Sequence, residues 1–327
     1  MNKVLESIKI LKKHVKEQLS KDLIFDFHRE FDCYMIHKKH HDLQEIVLPD
    51  YYNDGYNGKK PVKIIQGMGF YNCLELTSLI MPESIESIGT RAFYGCSEIT
   101  QINLPFKIKV IDDFTFEDCK KLQTVIMADN VEIIGMKAFS DCESLENINL
   151  SNSITEIQIE AFQNCKKLSS IILPNSLKYL GSSVFENSGL ESIKLPEILE
   201  SIESGCFNGC CKLKSIDIPD NVKLLGKEIF SNCVELETVK LPNTMTIIEA
   251  GTFEGCEKLT KIDIPKTVTE IGAGAFKGCK SLIDFTIPNS VLKIDKTAFE
   301  GCSEDVQEVY KEWKKNEVMR NFCMKEF

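Results

Sequence analysis

The sequence predicts an α/β repeat solenoid: a row of short coils, each contributing one parallel strand, closed by helical caps at its ends. Three observations predict it. A Phe recurs at Phe70, Phe93, Phe116, Phe139, Phe162, Phe185, Phe207, Phe230, Phe253, Phe276 and Phe299, every 23 residues except for one step of 22 between Phe185 and Phe207. Three residues after each Phe stands a Cys, from Cys73 to Cys302, replaced by Ser188 in the shortened repeat. A short segment of alternating apolar residues then follows, as at 170–174 and 215–219, and usually closes on a Pro. One such unit has about seven inward apolar positions and cannot bury them alone, whereas stacked copies turn each column into a continuous ridge.

Along the chain, residues 1–42 read as an N-terminal helix and cap segment. Val4, Leu5, Ile8, Leu11, Val15 and Leu19 have helical spacing. Lys3, Lys9, Lys12, Lys13 and Lys16 make the segment basic. A membrane-surface helix and a partner-docking helix are two functional readings. Set against them is a cap over the first coil, which a solenoid end needs. A strand is expected around Phe31–Ile36. Residues 43–302 form the solenoid, about eleven coils, the first at Leu43–Pro49. That coil carries an insertion of ten residues between Pro49 and Phe70, compared with the stretch Pro82–Phe93. Asp54-Gly55 and Asn57-Gly58 mark tight turns within it. Tyr51, Tyr52 and Tyr56 there are good contact residues.

In each later coil the strand places pairs such as Ile171/Leu173 and Ile216/Ile218 inward. Pro then ends ladder pairing, because it has no N–H. A second apolar pair follows, as in Val131/Ile134 and Val268/Ile271, and a small residue such as Ala92 or Ala138 precedes the Phe. Residues 303–327 open like a helix, with Glu304 and Asp305 in the first turn. Val306, Val309, Tyr310, Trp313 and Phe322 are placed to cover the last coil.

Composition excludes several classes. The net charge is -10, and a generic nucleic-acid binder would show a basic field. No run of 18 apolar residues offers a membrane span. Charges interrupt every apolar stretch of residues 1–20, so no export signal is read and a cytoplasmic location is expected. Fourteen Cys in such a chain suggest a reducing compartment. In-register stacking suits the Cys column to packing rather than bridging, and buried Cys behaves as a small hydrophobe. Cys211 differs, because its column is otherwise filled by Ser97, Lys120, Glu143 and other polar residues, which makes it the best candidate for an accessible thiol. His37, His40 and His41 with Cys33 could ligate a transition metal, but zinc spacing is absent and the segment is Lys-rich, so solvated histidines are the expectation. No phosphate-binding loop or nucleophile elbow is present. The chain is therefore read as a non-enzyme with no cofactor and no metal.

The pattern of residues 260–280, TKIDIPKTVTEIGAGAFKGCK, resembles the BspA-like, treponemal-type leucine-rich repeats, and the resemblance covers roughly residues 43–302. It implies a curved solenoid with a parallel β-sheet on the concave side. It also implies recognition of proteins or cell surfaces rather than catalysis. Many members of the family are secreted or surface-exposed. The functional expectation is a protein-interaction scaffold or adaptor. The alternative is a surface-exposed or secreted adhesin that leaves the cell without a signal peptide and binds host or extracellular proteins. A protein partner, no nucleic acid and a monomer are expected.

Outward strand positions then supply the contact surface. One column reads Ser78, Gln101, Thr124, Asn147, Ser170; the other reads Ile80, Asn103, Ile126, Asn149, Ile172. Exposed apolar residues in a polar frame are what an interface core needs. The Tyr51–Tyr56 loop extends this candidate surface. Further along, Lys194, Asp217, Lys240 and Asp263 alternate in sign and are expected to pair along the stack, leaving little net field.

Overall fold

The computed structural model describes residues 22–40 and 42–323. The chain divides into two compact units, residues 1–154 and 155–327. The helix expected over residues 1–20 lies outside the described residues, as does His41.

The first unit begins with strands rather than a helix. Strand β1 (Leu23–His28) pairs antiparallel with β2 (Cys33–Lys38), turning through Asp32 at φ 46°. Both strands are rich in aromatic and apolar residues, which favour strands, and they bury Leu23, Cys33, Tyr34 and Ile36. After β3 (Glu45–Val47), the insertion folds as an antiparallel hairpin of β4 (Tyr51–Asn53) and β5 (Lys59–Ile65). Strand β5 also pairs parallel with β2. The coils follow. Each gives a three-residue strand and then a two-residue strand: β6 (Ser78–Ile80) and β7 (Ser87–Ile88), β8 (Gln101–Asn103) and β9 (Val110–Ile111), β10 (Thr124–Ile126) and β11 (Ile133–Ile134), then β12 (Asn147–Asn149). All inter-coil ladders in this unit are parallel: β3 with β6, β8 with β10 with β12, β5 with β7, and β9 with β11.

The second unit repeats the plan. Its three-residue strands Ser215–Asp217 and Thr238–Lys240 pair parallel with each other and then with Lys261–Ile262. A second ladder joins Glu156–Ile157, Tyr179–Leu180, Ser201–Ile202 and Leu224–Leu225.

The third side of every coil is a turn, not a helix. Its residues alternate between right- and left-handed conformations, as at Arg91 (φ 57°) and Gly95 (φ 69°), then Phe114 (φ 58°) and Asp118 (φ 62°). That alternation aims N–H groups along the stack: Arg91, Phe93 and Gly95 donate to Asp113, Thr115 and Glu117 of the next coil at 3.0, 2.9 and 2.8 Å. A helix keeps its N–H groups inside one segment; here the coil gives them to its neighbour. The expected α/β class with helical caps is therefore corrected. The array is a β-solenoid with stacked parallel strands, and its one described helix, α1 (Glu304–Cys323), stands at the C-terminal end. Close stacking also explains a glycine. A Cβ at Gly89 would lie 2.6 Å from the backbone nitrogen of Gly67 in the coil before.

The inward columns fill the core. Phe93, Cys96, Ile99, Ile102, Leu104, Ile108 and Ile111 of a single coil are all buried. The Phe rings form a stack. In the first unit Phe70, Phe93, Phe116 and Phe139 follow at 5.3, 5.5 and 5.4 Å between centroids; in the second, Phe162, Phe185, Phe207, Phe230 and Phe253 follow at 5.7 Å per step. These separations exceed the ~4.8 Å strand spacing, as offset stacking requires. Helix α1 ends the second stack, with Tyr310 at 5.1 Å from Phe299 and the Trp313 indole N–H donating to Val291 O at 3.3 Å.

Candidate protein-interaction surface

The strand ladders set the outward side chains of the first unit on a grid. Across β8, β10 and β12, Gln101, Thr124 and Asn147 stand in register, and so do Asn103, Ile126 and Asn149. On the adjoining ladder, Ser78 stands beside Glu45 and Ile80 beside Val47. The middle residue of each strand points inward and is buried: Leu79, Ile102, Val125, Ile148. Alternation therefore forces the flanking residues outward. Ile80 is 54% exposed and Ile126 46%. The Gln101 side-chain amide donates to Asn103 at 2.9 Å, so these polar groups partly satisfy each other on the surface. Ser170 and Ile172 belong to the second unit, where Ile172 is 87% exposed and bridges to Lys194.

The structure adds a residue to this surface. Phe106 follows Pro105 at the corner after β8 and is 50% exposed. Its backbone is pinned: the Phe106 N–H donates to Glu83 at 2.9 Å, and the Asn130 amide donates to Phe106 O. The signal was in the sequence. The same corner in other coils holds Glu83, Asp129, Asn152, Asn175, Glu197 and Asp220, so Phe106 stands out as a large apolar side chain in a polar column. Val47 is a second addition, half-buried beside Ile80.

The three tyrosines do not act as a set. The Tyr52 ring stacks on Phe25 at 3.9 Å and meets Tyr34 edge-on at 5.0 Å, so packing of the N-terminal sheet takes it up. Tyr51 is exposed, with Lys59 over its ring at 4.8 Å. Tyr56 projects from the hairpin tip and is 96% exposed. Asp54 orders that tip by accepting the Tyr56 and Asn57 N–H groups, each at 2.8 Å. These bonds hold its carboxyl well below the usual carboxylate range, the Asn57 N–H most of all.

The outward residues of the second unit behave differently from expectation. Asp217 and Lys240 stand in register on adjacent strands, yet no ion pair joins them among the described residues. On this face Lys261 meets Asp263 of its own coil at 3.7 Å. Both side chains are largely exposed, and a solvated pair gains too little to fix two flexible chains in one geometry. Ion pairs between coils lie instead beside the second ladder, as in Lys223–Glu200 and Lys293–Glu270 at 3.2 and 2.6 Å, and around the turn, as in Lys258–Glu235 and Lys277–Glu254 at 2.7 and 2.8 Å.

The Cys column is packing with a weak donor. Each thiol reaches back to a Phe carbonyl of the preceding coil: Cys96 to Phe70 O at 3.2 Å, Cys119 to Phe93 O at 3.3 Å, Cys256 to Phe230 O at 3.1 Å. Burial pushes the Cys119 thiol far up, and the Cys210 and Cys256 thiols up to about 12. These groups stay protonated and unreactive at neutral pH. Cys211 is exposed. At the N-terminal end, His37 lies 3.2 Å from Asp26, and His28 stacks on Phe31. Among the described residues no group of three His, Cys, Asp or Glu could hold a metal ion, and no helix is long and apolar enough to cross a membrane.

A BspA type leucine rich repeat region matches residues 63–191 and 178–304, with 6 copies. Solved structures share the fold. A leucine-rich repeat protein from Bacteroides ovatus is 25% identical with a TM-score of 0.50, covering 86% of this chain and 91% of its own. A leucine rich cell surface protein from Faecalibacterium prausnitzii is 25% identical with a TM-score of 0.51 and the same coverage of 86% and 91%. The pneumococcal vaccine antigen PcpA, 19% identical with a TM-score of 0.60, covers 87% of each chain and shows the fold alone. No curated relative matches the sequence at a significant level. With the family region spanning most of the solenoid, and with its repeated Phe and Cys columns forming the buried core, the chain belongs to the BspA-type leucine-rich repeat family.

Proposed function

We propose that this protein is a non-enzymatic interaction scaffold and that the strand face of its first unit is the contact surface. One observation carries the reading. Ile80 and Ile126 on the parallel ladders and Phe106 at the corner after β8 are large apolar side chains left about half exposed, framed by Ser78, Gln101, Asn103, Thr124, Asn147 and Asn149. An apolar centre within a polar rim is the anatomy of a protein interface, and a ladder fixed by backbone hydrogen bonds loses little entropy on binding. The inward Cys and Phe columns are consumed by packing, and leucine-rich repeats of this type are typically non-enzymatic. The test is the variant Ile80→Asp with Ile126→Asp, used as bait beside the natural chain and beside Leu224→Asp, an exposed residue of the second unit's other ladder. Partners that the natural chain and the Leu224 variant retain, and the double variant loses at unchanged melting temperature, support the reading. Equal retention by all three sinks it.

We place the scaffold in the reducing interior of the cell, with the thiol column as support. The surface adhesin is the second reading, favoured by the cell surface protein among the similar structures. A membrane-impermeant maleimide applied to intact cells separates the two, because labelled Cys211 requires exposure outside the cell.

A further inference from the structure

While Lys107, which follows Phe106 just outside them, is paired with Glu86 at 2.8 Å, the strand segments that carry the apolar centre of the first unit hold charge of one sign. The coil segments that make its strand face are residues 43–50, 76–83, 99–106, 122–129 and 145–152, and they contain no Lys or Arg. They do contain Glu45, Asp50, Glu83, Asp129 and Glu146, all exposed. Glu45 stands on β3, one strand from Ser78. Glu83 and Asp129 occupy the corner on either side of Phe106, one coil before and one coil after. Both accept hydrogen bonds from neutral donors, Glu83 from the Phe106 N–H and Asp129 from the Asn152 N–H and side-chain amide at 3.3 and 3.1 Å. Those bonds orient the carboxylates and leave their charge in place. Among the described residues, no ion pair involves Glu45, Glu83 or Asp129. The matching segments of the second unit interleave Lys194, Lys214, Lys240, Lys261 and Lys266 with their acids, so a one-signed rim is not a general property of the repeat.

Resting on the contact face assigned above, we propose that this face binds an extended segment of another protein in which apolar side chains are flanked by Lys or Arg. The apolar side chains would cover Ile80, Ile126 and Phe106, and the cations would meet the carboxylates at the rim. Such complementarity raises association rates and rejects acidic competitors. Spacing narrows the segment further. Ile80 and Ile126 are two coils apart, roughly 10 Å at ~4.8 Å per strand. A polyproline II segment returns to the same side every three residues, ~9 Å along its axis. Two apolar residues three apart, with basic residues between and around them, therefore fit the face.

The experiment uses the full chain and labelled synthetic peptides of equal length, followed by fluorescence anisotropy. Each peptide carries two leucines three residues apart, and the remaining positions are mostly Lys, mostly Glu or mostly Ser. The lysine peptide is expected to bind about tenfold or more tighter than the glutamate peptide at low salt, and to weaken as salt rises. Glu45→Gln with Glu83→Gln and Asp129→Asn is expected to remove most of that preference while keeping the acceptor oxygens that Phe106 and Asn152 use. Ile80→Ser with Ile126→Ser is expected to abolish binding. Equal affinity for the three peptides, lost in the isoleucine variant, would overturn the basic partner while leaving the contact face standing. Lysine-peptide binding that survives the isoleucine variant would overturn both. Tighter binding by a peptide of residues 1–20, itself basic and apolar, would put the chain's own segment on the face and overturn the assignment to a separate protein.

Discussion

In the first unit the outward column of the strand ladder reads Val47, Ile80, Asn103, Ile126, Asn149. In the second unit the same column opens on Ile172, 87% exposed, and then carries Lys194, Asp217, Lys240 and Asp263. Beneath these faces the interiors are alike, with the same Phe stack, the same buried thiols and the same left-handed turn residues. Repetition fixes the inward columns, because each must match its neighbours above and below. The outward columns carry no such constraint, so difference there is free to encode recognition. Interleaved Lys and Asp make the second face, from Lys194 onward, a solvated surface. Apolar side chains in an amide frame, rimmed by carboxylates alone, make the first one selective.

The largest effects should show that the cores are equivalent. Phe116→Ala in the first unit and Phe230→Ala in the second are each expected to cost about 3–5 kcal/mol, read by urea denaturation, since each ring is fully buried between two others. A cost confined to one unit would break the equivalence. Next comes binding. Ile80→Asp with Ile126→Asp should weaken partner affinity by ~2–4 kcal/mol with little change in stability, whereas Lys194→Ala with Lys240→Ala should shift it less than about threefold.

A smaller effect concerns both units through their thiols. Cys119, Cys210 and Cys256 have pKa values raised by burial. A raised pKa stabilises the fold below the ordinary thiol range, and that contribution is lost as pH climbs above it, because the unfolded chain then releases protons the folded chain still holds. Stability should fall between about pH 9 and 12 by up to ~1.4 kcal/mol per pH unit per thiol. Cys119→Ala and Cys256→Ala should each make the decline shallower in melting temperatures taken against pH. The smallest effect is expected from the surface ion pairs. Lys109→Ala and Lys223→Ala each remove one pair between coils and should change stability by less than ~1 kcal/mol.

Much of this was legible in the sequence, because a column of identical side chains at constant spacing has few structural solutions. The Phe, Cys and Leu columns, the parallel strands and the outward set from Ser78 to Asn149 all follow from it. The turn geometry does not. Arg91, Phe114 and Glu160 take positive φ without being Gly, and their N–H groups bond to the next coil, which no local pattern reveals. The N-terminal hairpin is only half visible in the sequence: the strand expected around Phe31–Ile36 forms two residues later, at Cys33–Lys38, and its partner Leu23–His28 lies outside that expectation. Phe106 lies at a corner, outside the period-two alternation that marks outward strand positions. Proximity alone predicts pairing among Lys194, Asp217, Lys240 and Asp263, yet Lys and Glu one coil apart at 109/132 and 200/223 carry the same 23-residue signature and do pair.

Hydroxyl-radical footprinting of the full chain with and without a bound partner tests the central claim most directly, because it reads side-chain exposure on both units in one sample. Phe106, Ile80 and Ile126 are predicted to become protected, while Leu224 and Ile247, which are exposed on the second unit, keep their reactivity. Protection of Leu224 and Ile247 with Phe106, Ile80 and Ile126 unchanged would contradict the account.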